Sequence, residues 1–227
     1  MRKILIISGV LLVTAVAVLS FVPFSIDEKD TSIRVALTDI KALRAAAETG
    51  DAAAQARFGR ALVEGDGMAQ DFKQAHEWLG RAADQGNLDA CVLLGELHEA
   101  GRGVPPDGAK AVDYFKKAAE KGHAGAQYNL GQIYGMGNGV PANQVEAVKW
   151  LKLAAAQGDE AAQINLGRRY VKGRGVSVDK VEAYIWFSRA RGSADAAEDL
   201  KHLKEKMTDA ELTVAGDRLA LIQSARK

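Results

Sequence analysis

A single cysteine, Cys91, in 227 residues rules out an internal disulfide, so packing must hold the fold in any redox compartment. Four prolines and no low-complexity tract exclude a loose linker between separate modules. Basic excess is missing too: of 30 Lys and Arg, Arg2 and Lys3 fall at the amino end, leaving 28 against 29 Asp and Glu. Such a body has little with which to neutralise a phosphate backbone, so nucleic acid is not an expected partner. His76, His98, His123 and His202 show neither H-x-x-x-H nor H-E-x-x-H spacing, and no metal or cofactor is expected. What the chain does have is apolar content, 48%, enough for a long core and too much for a disordered polypeptide.

The first 22 residues differ from the rest: "MRK" supplies a positive end and Ile4 to Val22 runs 19 residues without a charge. That length approaches the roughly 20 residues needed to span a bilayer and exceeds the apolar core of an ordinary signal peptide. No A-x-A site follows, which favours an uncleaved anchor over residues 1–23, with cleavage after Ser20 as the open alternative. Arg2 and Lys3 before the segment and Asp27, Glu28 and Asp30 after it place the amino terminus in the cytoplasm and the body outside. Either reading exports the body to the periplasm or the cell exterior, with membrane contact through the amino-terminal segment if it is uncleaved. Residues 24–35 read as a linker.

Four glycine-rich stretches recur every 36 residues: "GDGMAQD" from Gly65, "GRGVPPD" from Gly101, "GNGVPAN" from Gly137 and "GRGVSVD" from Gly173. A catalytic loop occurs once, whereas a turn between stacked units recurs with the unit. A phosphate loop would need G-x-x-x-x-G-K-S/T, or a strand before G-x-G-x-x-G, and neither context exists. The units read as 50–85, 86–121, 122–157 and 158–191. Ahead of each turn stand Ala54, Ala90, Ala126 and Ala162, then Phe58-Gly59, Leu94-Gly95, Leu130-Gly131 and Leu166-Gly167, then Leu62, His98, Tyr134 and Tyr170. Offsets of four define one helical face, with glycine allowing a neighbouring helix close approach. After each turn, Asp71, Asp107, Asn143 and Asp179 fall at N-cap positions, and Gln74, Glu146 and Glu182 three residues on predict reciprocal capping boxes. The second helix carries Trp78, Tyr114, Trp150 and Trp186 between alanines, read as core knobs. Cys91 shares a column with Gln55, Gln127 and Gln163. A column that accepts glutamine predicts a partly accessible thiol, inert or pairing with a partner.

The ends read as caps. Residues 36–49 repeat the ending of the second helix as a half unit, and 192–227 hold two helices, one from Ser193 and one opened by a capping box at Thr208 and Glu211. The expected fold is all-α, a right-handed α-solenoid of helical hairpins over 36–191 behind the signal or transmembrane segment.

The segment "AQYNLGQIYGMGNGVPANQVEAVKWLKLAAAQGD" resembles the Sel1-like repeat, a 36-residue relative of the tetratricopeptide repeat, and the resemblance spans about residues 36–190. It implies a protein-interaction scaffold without catalysis, here in the cell envelope, whose partner is another protein or peptide. By analogy with tetratricopeptide grooves, it also implies binding columns on the first helices. These hold Arg60, Glu96, Gln132 and Arg168; Ala56, Val92, Tyr128 and Ile164; and Glu64, Met136 and Lys172. Arg60 and Arg168 are the expected contacts for an acidic segment. Two alternatives stay open: an envelope enzyme or β-lactam-directed protein, suggested by the S-x-x-K match at Ser177 and Lys180 but without S-D-N or K-T-G, and a self-assembling structural protein.

Overall fold

A computed structural model describes residues 31–225, with side chains from Asp39 onward. Both the export segment and most of the proposed linker lie outside the described residues. Eleven helices follow in chain order: α1 (Thr31–Glu48), α2 (Ala52–Glu64), α3 (Phe72–Asp84), α4 (Leu88–Ala100), α5 (Gly108–Ala119), α6 (Ala124–Met136), α7 (Gln144–Ala156), α8 (Glu160–Lys172), α9 (Lys180–Arg189), α10 (Ala194–Lys204) and α11 (Asp209–Ser224). No strand occurs among the described residues, and none of their helices is long and apolar enough to cross a membrane. From α1 to α10 each packs mainly on its chain neighbours, the quasi-linear order of a solenoid, while α11 folds back onto α9.

Glycines on the first helix of each hairpin set the closeness of packing. A methyl group added at Gly59 or Gly131 would lie 2.6 Å from Leu79 Cγ or Leu151 Cγ; at Gly95 or Gly167 it would lie 2.7 or 2.5 Å from the Phe115 or Phe187 ring. Leu79, Phe115 and Leu151 are fully buried and Phe187 nearly so. The principal knob is therefore the residue after the aromatic column. Trp150 is in the core as read, 8% exposed, but Trp78, Tyr114 and Trp186 are only half-buried, and cations stand over their rings: Arg81 4.5 Å from the Trp78 centroid, Lys117 5.1 Å from Tyr114 and Arg189 4.4 Å from Trp186.

The four predicted N-caps form, each side chain accepting from the amide three residues on. The reciprocal half of the predicted boxes does not form at Gln74, Glu146 or Glu182. The N-cap amides are already committed: Asp71, Asn143 and Asp179 N–H donate to Leu62, Tyr134 and Tyr170 carbonyls at 3.0, 2.7 and 3.1 Å. These bonds tie the end of one helix to the start of the next, leaving Glu146 to Lys149 and Glu182 to Arg218. At Thr208 and Glu211 the box is complete. The first helices have caps of their own, Asp51, Asn87, His123 and Asp159.

The glutamine column is buried, which corrects the expected exposure of Cys91: Gln55, Gln127 and Gln163 are each 4% exposed and Cys91 3%. Glutamine is tolerated there because Nε2 donates to the carbonyl of Ala47, Ala119 or Ala155 at 3.0 to 3.1 Å, meeting the requirement for a buried amide. Gln85 and Gln157 in turn donate to Gln55 and Gln127 Oε1 at 2.8 Å. Cys91 lacks these partners, and burial pushes its thiol pKa up, away from the reactive thiolate. Replacing Cys91 by Gln adds the bond made in the other repeats, here to Ala83. Urea denaturation is expected to show a gain of about 1 kcal/mol.

The carboxyl-terminal helices pack on the end of the stack, both against α9. Ser193 caps α10, Lys180 Nζ donates to the Lys206 carbonyl at 2.6 Å, and Arg218 pairs with Glu182. At the other end Ala46 is exposed while its counterparts Ala82, Ala118 and Ala154 are fully buried, because among the described residues no earlier hairpin covers α1.

Candidate binding face

Helices α2, α4, α6 and α8 lie side by side, so their variable columns share one face. Arg60 on α2 lowers the Glu96 pKa on α4 against the larger upward effect of burial, Tyr128 on α6 meets Asn165 on α8, and Arg168 reaches α10. Glu64, Glu96, Met136 and Lys172 are exposed, and Val92, Tyr128 and Gln132 are half-buried. Two residues expected on this surface are withdrawn from it: Ala56 is 7% and Ile164 9% exposed, each within a core cluster.

Neither arginine expected to meet an acidic segment is free for it. Arg60 faces Glu64 at 3.7 Å across exposed side chains, a pair of little energetic weight. Arg168 is held more firmly: Nε donates to Asp199 at 2.5 Å and Nη2 lies 3.5 Å from Asp195, so α10 neutralises it.

Gln132, Met136, Arg168 and Lys172 do come together, on a cleft of about 520 Å³ completed by Arg169 and Arg174 among others. No carboxylate lines it. Arg169 was missed because its column is a core column elsewhere, holding Ala61, Leu97 and Ile133 at 7, 2 and 2% exposure. Its Nη1 donates to Gln144 Oε1 at 2.7 Å, while Gln144 Nε2 donates to the Gly135 carbonyl at 2.8 Å. Gly135 leaves the space in which the guanidinium sits; a methyl group there would collide with Arg169 Nη2. Burial lowers the Arg169 pKa, with Arg174 adding to the effect. The signal was present in the sequence as an arginine where three repeats carry aliphatic residues.

A second grouping was also missed. His76 and His98, 22 positions apart, bring their Nε2 atoms within 3.2 Å, and His98 stacks on Tyr114 at 5.5 Å. Burial lowers both pKa values, with Lys110 adding to the effect and Glu77 and Asp107 opposing it. The unfolded chain therefore takes up these protons at higher pH than the folded one, and stability falls as pH drops below about 6.5. In His98→Leu, the residue the first repeat carries at Leu62, thermal melts between pH 7 and 5 should show a shallower loss than in the parent. Among the described residues no three metal-ligating side chains converge.

The S-x-x-K pair finds no catalytic setting. Lys180 is engaged by the Lys206 carbonyl and by Glu211 at 3.5 Å, and Ser177 lies exposed in the turn before α9.

Comparison with known proteins places this geometry. Sel1 repeats match residues 52–87, 88–123, 124–159 and 160–191, the same period as read from the glycines with the phase moved two residues. A protective antigen of uropathogenic Escherichia coli displaying an SLR fold is 40% identical at a TM-score of 0.71, over 74% of this chain and 36% of that one. A Sel1 repeat protein from Oxalobacter formigenes is 35% identical at a TM-score of 0.67, over 74% of this chain and 49% of that one. The chain thus spans less than half the length of either. No curated protein sequence matches it. Sel1 repeat proteins are generally protein-interaction scaffolds. With four tandem repeats in register and the hairpin stack they form, the chain belongs to the Sel1 repeat family.

Proposed function

We propose that the protein is a non-catalytic binding scaffold of the cell envelope whose partner protein lies across α2, α4, α6 and α8. The observation carrying this reading is the contrast on one face between an unvarying frame and variable columns, four of whose residues meet at the α6–α8 cleft. A stacked array of hairpins offers such a face to an extended peptide or helix. Export rests on the charge-free run from Ile4 to Val22 and its flanking charges.

A photo-cross-linking residue at Gln132, tested in intact cells with mass spectrometry, is expected to capture a defined partner, whereas one at the exposed Asp113 of α5 is not. Capture from Asp113 alone would move the surface to the opposite helices and overturn the reading. A periplasm-active reporter fused after residue 30 is expected to be active, and amino-terminal sequencing of the product then separates anchor from cleaved signal. Activity only from a cytoplasm-dependent reporter would sink export.

A further inference from the structure

Three departures from the repeat frame meet at one point. Arg169 replaces an aliphatic core residue, Gly135 vacates the space above α6 that its guanidinium fills, and Gln144 stands where other repeats carry Phe72, Gly108 or Lys180. Each alone is unfavourable or neutral for packing. An arginine in a core column costs desolvation, and a glycine in the last turn of α6 gives up both helix propensity and the side-chain contacts of the residues at that position in other repeats. Together they seat and aim a guanidinium: Gln144 holds one edge at 2.7 Å and is itself fixed by the Gly135 carbonyl at 2.8 Å. Lys172 and Arg174 line the same cleft. Among the described residues none of Arg169, Lys172 and Arg174 has a carboxylate partner, in contrast to Arg168 with Asp199 and Asp195. A positioned planar donor with two further cations and no acid is the complement of carboxylates. At about 520 Å³ the cleft exceeds a single small ion, and Met136, 61% exposed, provides an adaptable apolar border.

We propose that the α6–α8 cleft binds an acidic peptide segment of the partner, with carboxylates on Arg169, Lys172 and Arg174 and a neighbouring apolar side chain against Met136. This rests on the proposed scaffold reading and names the chemistry of its partner.

The probes are a fluorescent peptide alternating Glu and Leu, its Gln and Leu counterpart, and inorganic phosphate as competitor, each with the full chain in mild detergent. The Glu peptide is expected to bind, more weakly as salt rises, and the Gln peptide not to bind. Arg169→Ile, which restores the residue type of Ile133, should fold with undiminished thermal stability yet bind the Glu peptide about tenfold more weakly, the loss of one charge-assisted contact. Gly135→Ala, which displaces the guanidinium, should weaken binding while the charge is retained. Unchanged affinity in a folded Arg169→Ile variant would overturn the proposal, as would equal binding of the two peptides. Displacement by phosphate at far lower concentration than by unlabelled Glu peptide would assign the cleft to a small anion instead. Should the peptide arms fail while the cross-linker at Gln132 still captures its partner, this inference falls and the scaffold reading stands; loss of both removes the scaffold reading as well.

Discussion

Phe115→Ala is expected to lower unfolding stability by about 3–5 kcal/mol, the range for an aromatic removed from a packed core. The ring is fully buried, and its edge lies where a side chain on Gly95 would begin, 2.7 Å from an added methyl. That contact makes the two positions one packing unit. Gly95→Ala alone drives a methyl group into the ring, an overpacking expected to cost about 1–3 kcal/mol. In the double variant the clash is gone and the new methyl fills part of the vacated space. The double loss should therefore fall well short of the sum of the single losses, the non-additivity expected of residues in contact. Denaturation followed by circular dichroism on the four proteins measures the coupling. Strict additivity would mean that Gly95 does not set the α4–α5 approach. Because repeat arrays need not unfold in two states, a fluorescence probe on Trp150 in the next hairpin would show whether the loss stays local or spreads.

How far such units were legible in the sequence depended on whether the deciding partner was local. The period, the turn glycines, the N-caps and both terminal helices were legible, since backbone conformation and capping act within a few residues. The knob column was legible at Trp150 but not in the other three repeats: "WL", "YF", "WL" and "WF" each put two large apolar residues side by side, and only the glycine notch opposite selects Leu79, Phe115, Leu151 and Phe187. The reciprocal capping bonds failed for the same reason, since the competing acceptors are carbonyls of Leu62, Tyr134 and Tyr170 on another helix. Glutamine at Gln55 looked like exposure because its acceptor, the Ala47 carbonyl, lies eight residues back across a helix junction. At the candidate face the column alignment named Gln132, Met136 and Lys172, which line the α6–α8 cleft, but could not show that α10 brings Asp199 to Arg168. Nor does periodicity reveal which way an arginine in a core column turns; the Arg169 guanidinium is directed by Gly135 and Gln144, 34 and 25 positions away in sequence. Reversing Arg60 and Arg168 together to Glu is for that reason a poor probe of the face, since Arg168→Glu would set a third acid against Asp195 and Asp199.

Gly103→Val should produce the other large loss, through two separable causes. Gly103 has φ of +74°, a conformation that costs a non-glycine residue about 1–3 kcal/mol, the more so when β-branched. It is also a contact between repeats. A methyl group there would lie 2.6 Å from the carbonyl carbon and oxygen of Phe72, the first residue of α3. Backbone cannot rotate away as a side chain can, so the second hairpin must shift on the first. Gly122 supplies the comparison, with φ of +90° and nothing within 4 Å of an added methyl. Gly122→Ala therefore reports strain alone. Gly103→Ala reports strain plus the clash, and is expected to be the more destabilising of the two by about 1–3 kcal/mol. Gly103→Val should exceed both, with a thermal midpoint lowered by about 2–4 °C per kcal/mol for a domain of this size. Equal midpoints for Gly103→Ala and Gly122→Ala would show that the turn glycine answers to conformation and not to repeat stacking. Binding of the partner should follow the folded fraction, because Gly103 lies in the turn between α4 and α5, outside the α6–α8 cleft. A fully stable Gly103→Val variant that no longer bound would make the G-x-G turns part of the recognition surface.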